Sequence, residues 1–91
     1  MHHRQQFICK RRGIVVGILM LKPKEIPSIG DSLNISGQEL RGGKGRYRIT
    51  DRHGHNGHTT VTIERVSDVD RRYKVHTLTP VEAPALEATT S

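Results

Sequence analysis

Apolar residues in this chain recur at every second position in short runs, and glycine or proline interrupts each run. That period belongs to a strand with one buried and one wet face, because successive side chains on a strand point to opposite sides. Gln6 to Leu21 reads as one long or broken strand, with Gly13 and Gly17 as bend or bulge points. Lys22 to Gly30 holds Pro23 and Pro27 and reads as a loop. Asp31 to Ser36 alternates again, with Leu33 and Ile35 on one face. Gly37 to Gly45 contains four glycines and reads as a mobile connection, with room for one helical turn over Ser36 to Leu40. Gly45 to Arg52 puts Tyr47 and Ile49 inward, Thr59 to Val66 puts Val61 and Ile63 inward, and Arg72 to Leu78 puts Tyr73 and Val75 inward. The expectation is all-β: a small five-stranded antiparallel barrel, SH3-like or OB-like, over residues 1–79. Residues 80–91 are small, polar and aperiodic, and read as a disordered tail.

The central hairpin can be tested by parity. A two-residue Asn56-Gly57 loop would set Ile49 opposite Glu64 and break the apolar face. The loop should therefore hold an odd number of residues. A three-residue loop, His55-Asn56-Gly57, gives the pairs Ile49 with Ile63, Thr50 with Thr62 and Arg48 with Glu64. Carried on through the turn at Ser67 to Arg71, this register gathers Arg46, Arg48, Arg52, Arg72, Lys74 and His76 on the outer face around Glu64.

Composition bears on that cationic face. Lys and Arg number 15 against nine acids, and residues 1–80 hold all the bases with seven of the acids, a net +8. Such a charge attracts nucleic acid, an anionic membrane or an acidic protein; the plain alternative is a solvated polar face. Strand-borne arginines can follow phosphates, and single-strand binders usually add aromatic stacking platforms. Tyr47 and Tyr73 are assigned to the core, so backbone contact is expected without base reading. Lys44 and Arg41, in Arg41-Gly42-Gly43-Lys44-Gly45, add a basic loop whose amides could cradle phosphate; no Ser or Thr follows Lys44 as a Walker A loop requires.

Other chemistry is weakly marked. His53, His55 and His58 lie within six residues, but their spacing is not a standard zinc pattern, and the odd-loop register puts His53 and His58 on opposite faces. No metal site and no cofactor are expected. The one cysteine, Cys9, excludes an intramolecular disulfide and fits a reducing, cytoplasmic setting. Lys10 to Arg12 would lower its pKa without making a catalyst. Asp68 and Asp70 read as turn formers, and no set of residues fills the roles an enzyme needs, so no enzyme is expected. The apolar run Ile14 to Leu21 is far short of the roughly 20 residues that span a bilayer. Only three aromatic residues are present, which leaves little to wall a substrate cavity.

Pro27-Ser28-Ile29-Gly30-Asp31-Ser32-Leu33-Asn34-Ile35, followed by Tyr47-Arg48-Ile49 and Val61-Thr62-Ile63, resembles short β-barrel proteins of bacteriophages and mobile elements. Those open on Pro-x-x-Gly-Asp-x-x-x-Ile and continue with Tyr-x-Val and Val-x-Ile strands. The likeness covers roughly 40 residues. It implies a barrel whose role ranges from virion connector to inhibitor, and it carries over no functional residue.

Two functions follow as expectations. The first is a non-enzymatic module that docks on nucleic acid or nucleoprotein through Arg46, Arg48, Arg52, Arg72, Lys74, Lys44 and Arg41. The second is a protein-binding module of phage or mobile-element type, found in the cytoplasm or the virion, using an open strand at Ile18, Leu19 and Met20 and able to join further copies of itself.

Overall fold

The structure, a computed structural model, describes residues 4–40 and 43–81. It is all-β, with six strands: β1 (Gln5–Arg11), β2 (Ile14–Leu21), β3 (Ser32–Ser36), β4 (Gly45–His55), β5 (His58–Ser67) and β6 (Val75–Thr77). They form one sheet in the order β2-β1-β5-β4-β3-β6. The sheet curls until its ends meet: Ile18 of β2 and Thr79, just past β6, exchange two backbone hydrogen bonds of 2.9 Å each. The result is a nearly closed barrel.

The sixth strand comes from the apolar run at the start of the chain. The expected bend at Gly13 is a complete reversal: Arg11 faces Ile14 across Arg12-Gly13, at φ 55 and φ 79. Two successive left-handed residues make the type I′ turn whose twist matches antiparallel strands. Gly17 sits at a bulge, as expected, where Cys9 pairs with Gly17 and Lys10 with Val15. The sheet is also not wholly antiparallel. β1 runs parallel to β5 and β3 parallel to β6. In each case the intervening strands supply the long connection that parallel neighbours need.

The hairpin shows where the odd residue lies. Arg48 faces Glu64 and Ile49 faces Ile63, as parity demands. The expected three-residue loop and the expected Thr50–Thr62 pair do not form: the loop is the two-residue Asn56-Gly57 with His55 paired to His58, the extra residue is Thr50, a bulge between Ile49 and Asp51, and Asp51 takes the place opposite Thr62. Beyond the bulge Arg52 pairs with Val61 and so turns to the inner side.

Phe7, Cys9, Val16, Leu19, Leu21, Ile35, Leu40, Tyr47, Ile49, Val61, Ile63 and Leu78 form the core. Arginines close both ends of it: Arg52 lies 5.9 Å from the Phe7 ring and Arg11 lies 5.7 Å from the Tyr47 ring. The closing strand packs by shape. A Cβ on Gly17 would stand 3.0 Å from the Leu78 Cβ, and one on Gly37 would stand 2.9 Å from it, so the two glycines leave the notch that Leu78 fills. No helical turn of the expected kind forms over Ser36 to Leu40, where a hydrogen-bonded turn from Gly37 to Leu40 stands; a single 3-10 turn occupies Pro23–Glu25. Pro80 and Val81 have no regular structure. The remainder of the expected tail, from residue 82, lies outside the described residues.

Candidate nucleic-acid interface

The outer face of β4 begins as expected: Arg46 and Arg48 point outward between inward Tyr47 and Ile49. Across from them on β3 stand Asn34, opposite Arg46, and Ser32, opposite Arg48. A polar asparagine on an outer face should be wet, yet Asn34 is 1% exposed. The chain between β5 and β6 lies over it. The Asn34 side-chain amide donates to the Asp70 carbonyl at 2.7 Å and the Tyr73 carbonyl at 3.0 Å, and its Oδ1 accepts from the Asp70 amide at 2.9 Å. All of its strong hydrogen-bonding directions go to one loop, as a buried amide requires.

That peg decides where Tyr73 goes. The alternation places Tyr73 and Val75 in the core; the structure leaves them 56% and 38% exposed. Residues 71–74 are not strand, so a period-two reading has no hold on them. The Tyr73 ring lies instead on the outer side, with the Arg46 guanidinium 4.9 Å and the Arg72 guanidinium 5.6 Å from its centroid. Both distances fall within the range of cation–π attraction. The aromatic platform that the sequence reading denied to this face is therefore present.

A groove of about 460 Å3 has Arg46, Tyr73, Lys74, Lys24, Glu25 and His76 among its lining residues. Two acids compensate part of its charge. Asp70 holds Arg72 by two side-chain hydrogen bonds of 3.0 and 2.8 Å. Those bonds first, then the Arg72 amide, pull the Asp70 carboxyl down to about 2. Glu25 takes the Lys22 amide at 2.9 Å and the Lys74 ammonium at 3.2 Å. These contacts, the amide foremost, hold Glu25 below the usual carboxylate range. Burial foremost holds His76 below the usual imidazole range. Among the described residues Arg46, Arg48 and Lys24 form no ion pair with a carboxylate.

The seven cations singled out from the sequence divide. Arg46, Arg72 and Lys74 meet around Tyr73, and Arg48 stands two residues from Arg46 on the same face of β4. Lys74 is beside Glu25 and not beside Glu64, because β6 joins the sheet next to β3 and never reaches β5. Arg52 does not belong to the face: the Thr50 bulge turns it inward, where it donates to the Pro27 carbonyl at 2.8 Å. Lys44 is exposed ahead of β4, and Arg41 lies outside the described residues.

The strand proposed for protein contact is partly spent. Leu19 is 1% exposed in the core, and the Ile18 backbone is used in closing the barrel; Met20, 45% exposed, is the one of the three that stands open. More apolar surface lies earlier, at Ile14 and Val15.

The histidines also move with the bulge. Asp51, His53 and His55 fall on the outer side together with His58, against the expectation that His53 and His58 oppose each other. His53 Nε2 meets Asp51 Oδ2 at 2.9 Å, and the His55 and His58 rings stand 5.0 Å apart. Among the described residues no three His, Cys, Asp or Glu side chains are placed to hold a metal ion. Cys9 reverses its expected behaviour: burial pushes the thiol up to about 12. No helix among the described residues is long and apolar enough to cross a membrane.

Sequence reasoning missed Tyr73 as an exposed ring and Lys24 as a lining residue of the same groove. One signal was available: Arg71-Arg72-Tyr73-Lys74 surrounds a lone aromatic with three cations, a poor composition for a core strand. No protein-family model, no curated protein and no solved structure matches this chain.

Proposed function

We propose that the chain is a non-enzymatic module that docks on single-stranded nucleic acid across the outer face of β3, β4 and the loop before β6. One observation carries the reading: Tyr73 is exposed beside two guanidiniums, and it lines one groove with Lys74 and Lys24. An exposed ring offers a base a surface to stack on, and the cations meet phosphates on either side. Duplex is the poorer partner, because its bases are already stacked and unavailable to Tyr73.

The test is fluorescence anisotropy with a labelled oligothymidylate of about 12 nucleotides, a length suited to one small barrel. Affinity should fall steeply with salt, with a slope of roughly −0.7 per phosphate neutralised. Tyr73→Ala should cost about 1–3 kcal/mol of binding at fixed salt, the usual contribution of one stacked base. Absence of binding at low salt, or equal binding by wild type and Tyr73→Ala, removes this reading.

The exposed start of β2 favours a second reading, a protein-binding module. Ile14 is 69% and Val15 41% exposed on a strand whose outer edge meets Thr79 only at Ile18. Such an edge can accept a strand from a partner. Partner capture that survives nuclease treatment and is lost in Val15→Lys would support it.

A further inference from the structure

The far end of the β4–β5 hairpin carries a side-chain pair that the Tyr73 face does not use. The two-residue loop Asn56-Gly57 sets His55 directly opposite His58, so both side chains leave the ladder on one side. Their rings stand 5.0 Å apart, centroid to centroid, with a tilt of 31°. Both line a hollow of about 290 Å3, together with Gln5, Gly57 and Thr59. His53, on the same side, is otherwise engaged: its Nε2 meets Asp51 Oδ2 at 2.9 Å, and that bond foremost holds the Asp51 carboxyl below its usual range. Among the described residues no hydrogen bond or ion pair engages the ring nitrogens of His55 or His58.

Two imidazoles at this spacing match a chelate. Two rings on one ion, with metal–nitrogen bonds of about 2.1 Å and angles between about 90° and 110°, have centroids roughly 4.5–5.3 Å apart. The observed 5.0 Å falls inside that range. A histidine ring turns about a soft torsion, so its nitrogens reach an ion without movement of the backbone. The ladder holds the two residues opposite each other beforehand, which lowers the ordering cost of a chelate. Three protein ligands do not meet among the described residues; with two, water completes the ion's shell, and the exposed His55 side of the hollow admits it. Imidazole nitrogen suits zinc, nickel and copper, whereas magnesium and calcium prefer oxygen.

We propose that His55 and His58 form a binding site for one divalent ion of the zinc, nickel and copper group at the hairpin tip. The site does not rest on the Tyr73 face and would stand if that face bound nothing. The probe is Zn2+, titrated into the full chain and followed by the histidine ring resonances. The His55 and His58 rings should shift together and saturate at one equivalent bound, while Mg2+ at the same concentration leaves both in place. His55→Gln and His58→Gln should each weaken Zn2+ binding by at least about tenfold, because one imidazole alone makes no chelate. The Tm of each variant without metal separates lost binding from a lost hairpin. His53→Gln should bind Zn2+ within about twofold of the unsubstituted chain, and so should the double variant His2→Gln, His3→Gln, which removes the other adjacent histidines of the sequence. Zn2+ affinity unchanged in His55→Gln or in His58→Gln overturns the proposal. So does an equal loss in His53→Gln or in the double variant, which places the ion elsewhere, or a matching response to Mg2+, which reduces it to a general effect of charge.

Discussion

The β4–β5 hairpin and the return segment from residue 68 to 81 contribute neighbouring parts of one face by different physical means. The hairpin is long and antiparallel, 11 residues against ten, and its inward and outward residues alternate from Tyr47 to Ile49 and from Val61 to Ile63. Its partners are close in sequence, so the apolar pattern alone constrains the register. The return segment has three residues of strand, pairs in parallel with β3 and joins β2 through one bridge. It is held by what lies far away in the chain: Asn34 beneath residues 70 to 73, and the Gly17 and Gly37 notch around Leu78. Arg46 and Arg48 ride on the first region, and Arg72, Tyr73 and Lys74 on the second. The candidate interface exists only because the second region is fastened across the first.

The strongest way to break the contrast is Leu78→Ala. Leu78 is 4% exposed and packs against Gly17 and Gly37, which have no side chains to move into its place. The expected cost is about 2–5 kcal/mol in denaturant unfolding. The closing bridge should open with it, which amide hydrogen exchange at Ile18 and Thr79 would register, while the hairpin amides stay the best protected. If the hairpin loses protection to the same degree, the two regions are one cooperative unit and the contrast is wrong.

Asn34→Ala should cost less, about 1–3 kcal/mol, through the loss of its bonds to Asp70 and Tyr73. Its more telling effect is on binding. Freed from the peg, Tyr73 should contribute little to oligonucleotide affinity, so Asn34→Ala and the Asn34→Ala, Tyr73→Ala double variant should bind alike in anisotropy titrations. Additive losses would show that the loop keeps its place without Asn34.

Deletion of Thr50 sharpens the hairpin side and should have the smallest effect, about 1 kcal/mol or less in thermal or denaturant unfolding. Removing the bulged residue leaves Ile49 opposite Ile63 and Arg52 opposite Val61, so every inward side chain keeps its face. Deletion of Asn56 instead shortens the reversal between His55 and His58 and should cost distinctly more. Equal costs would mean that the loop, and not the bulge, absorbs the odd residue.

Much of the fold was legible in the residues themselves. Gly17 reads as a bend or bulge point because a glycine interrupts a strand there, and the all-β class, the inward set on β3, β4 and β5 and an odd residue, which the parity argument assigned to the hairpin loop, follow from a two-residue period. The location of that residue does not. A bulge at Thr50 and a longer loop satisfy the same parity, and they differ only in which face Arg52 and His53 take. The strand count was misread because Arg12 hides a turn: an Asn-Gly pair there would have announced the hairpin, whereas Arg-Gly does not. For the interface, Arg46 and Arg48 were readable, while Tyr73 was not, since its position depends on a hydrogen-bonded peg 39 residues earlier in the chain.

The sequence by itself determined that this protein is a small, strongly basic sheet with an aliphatic inside, because alternation and charge are properties of neighbours along the chain. The tertiary structure decided which edges meet, that two pairs of strands run parallel, and that an aromatic ring joins the cations on the outer face. Those choices depend on shape and on buried hydrogen bonds between distant residues: a leucine fitted between two glycines, and an asparagine whose partners lie in a loop that carries no period of its own.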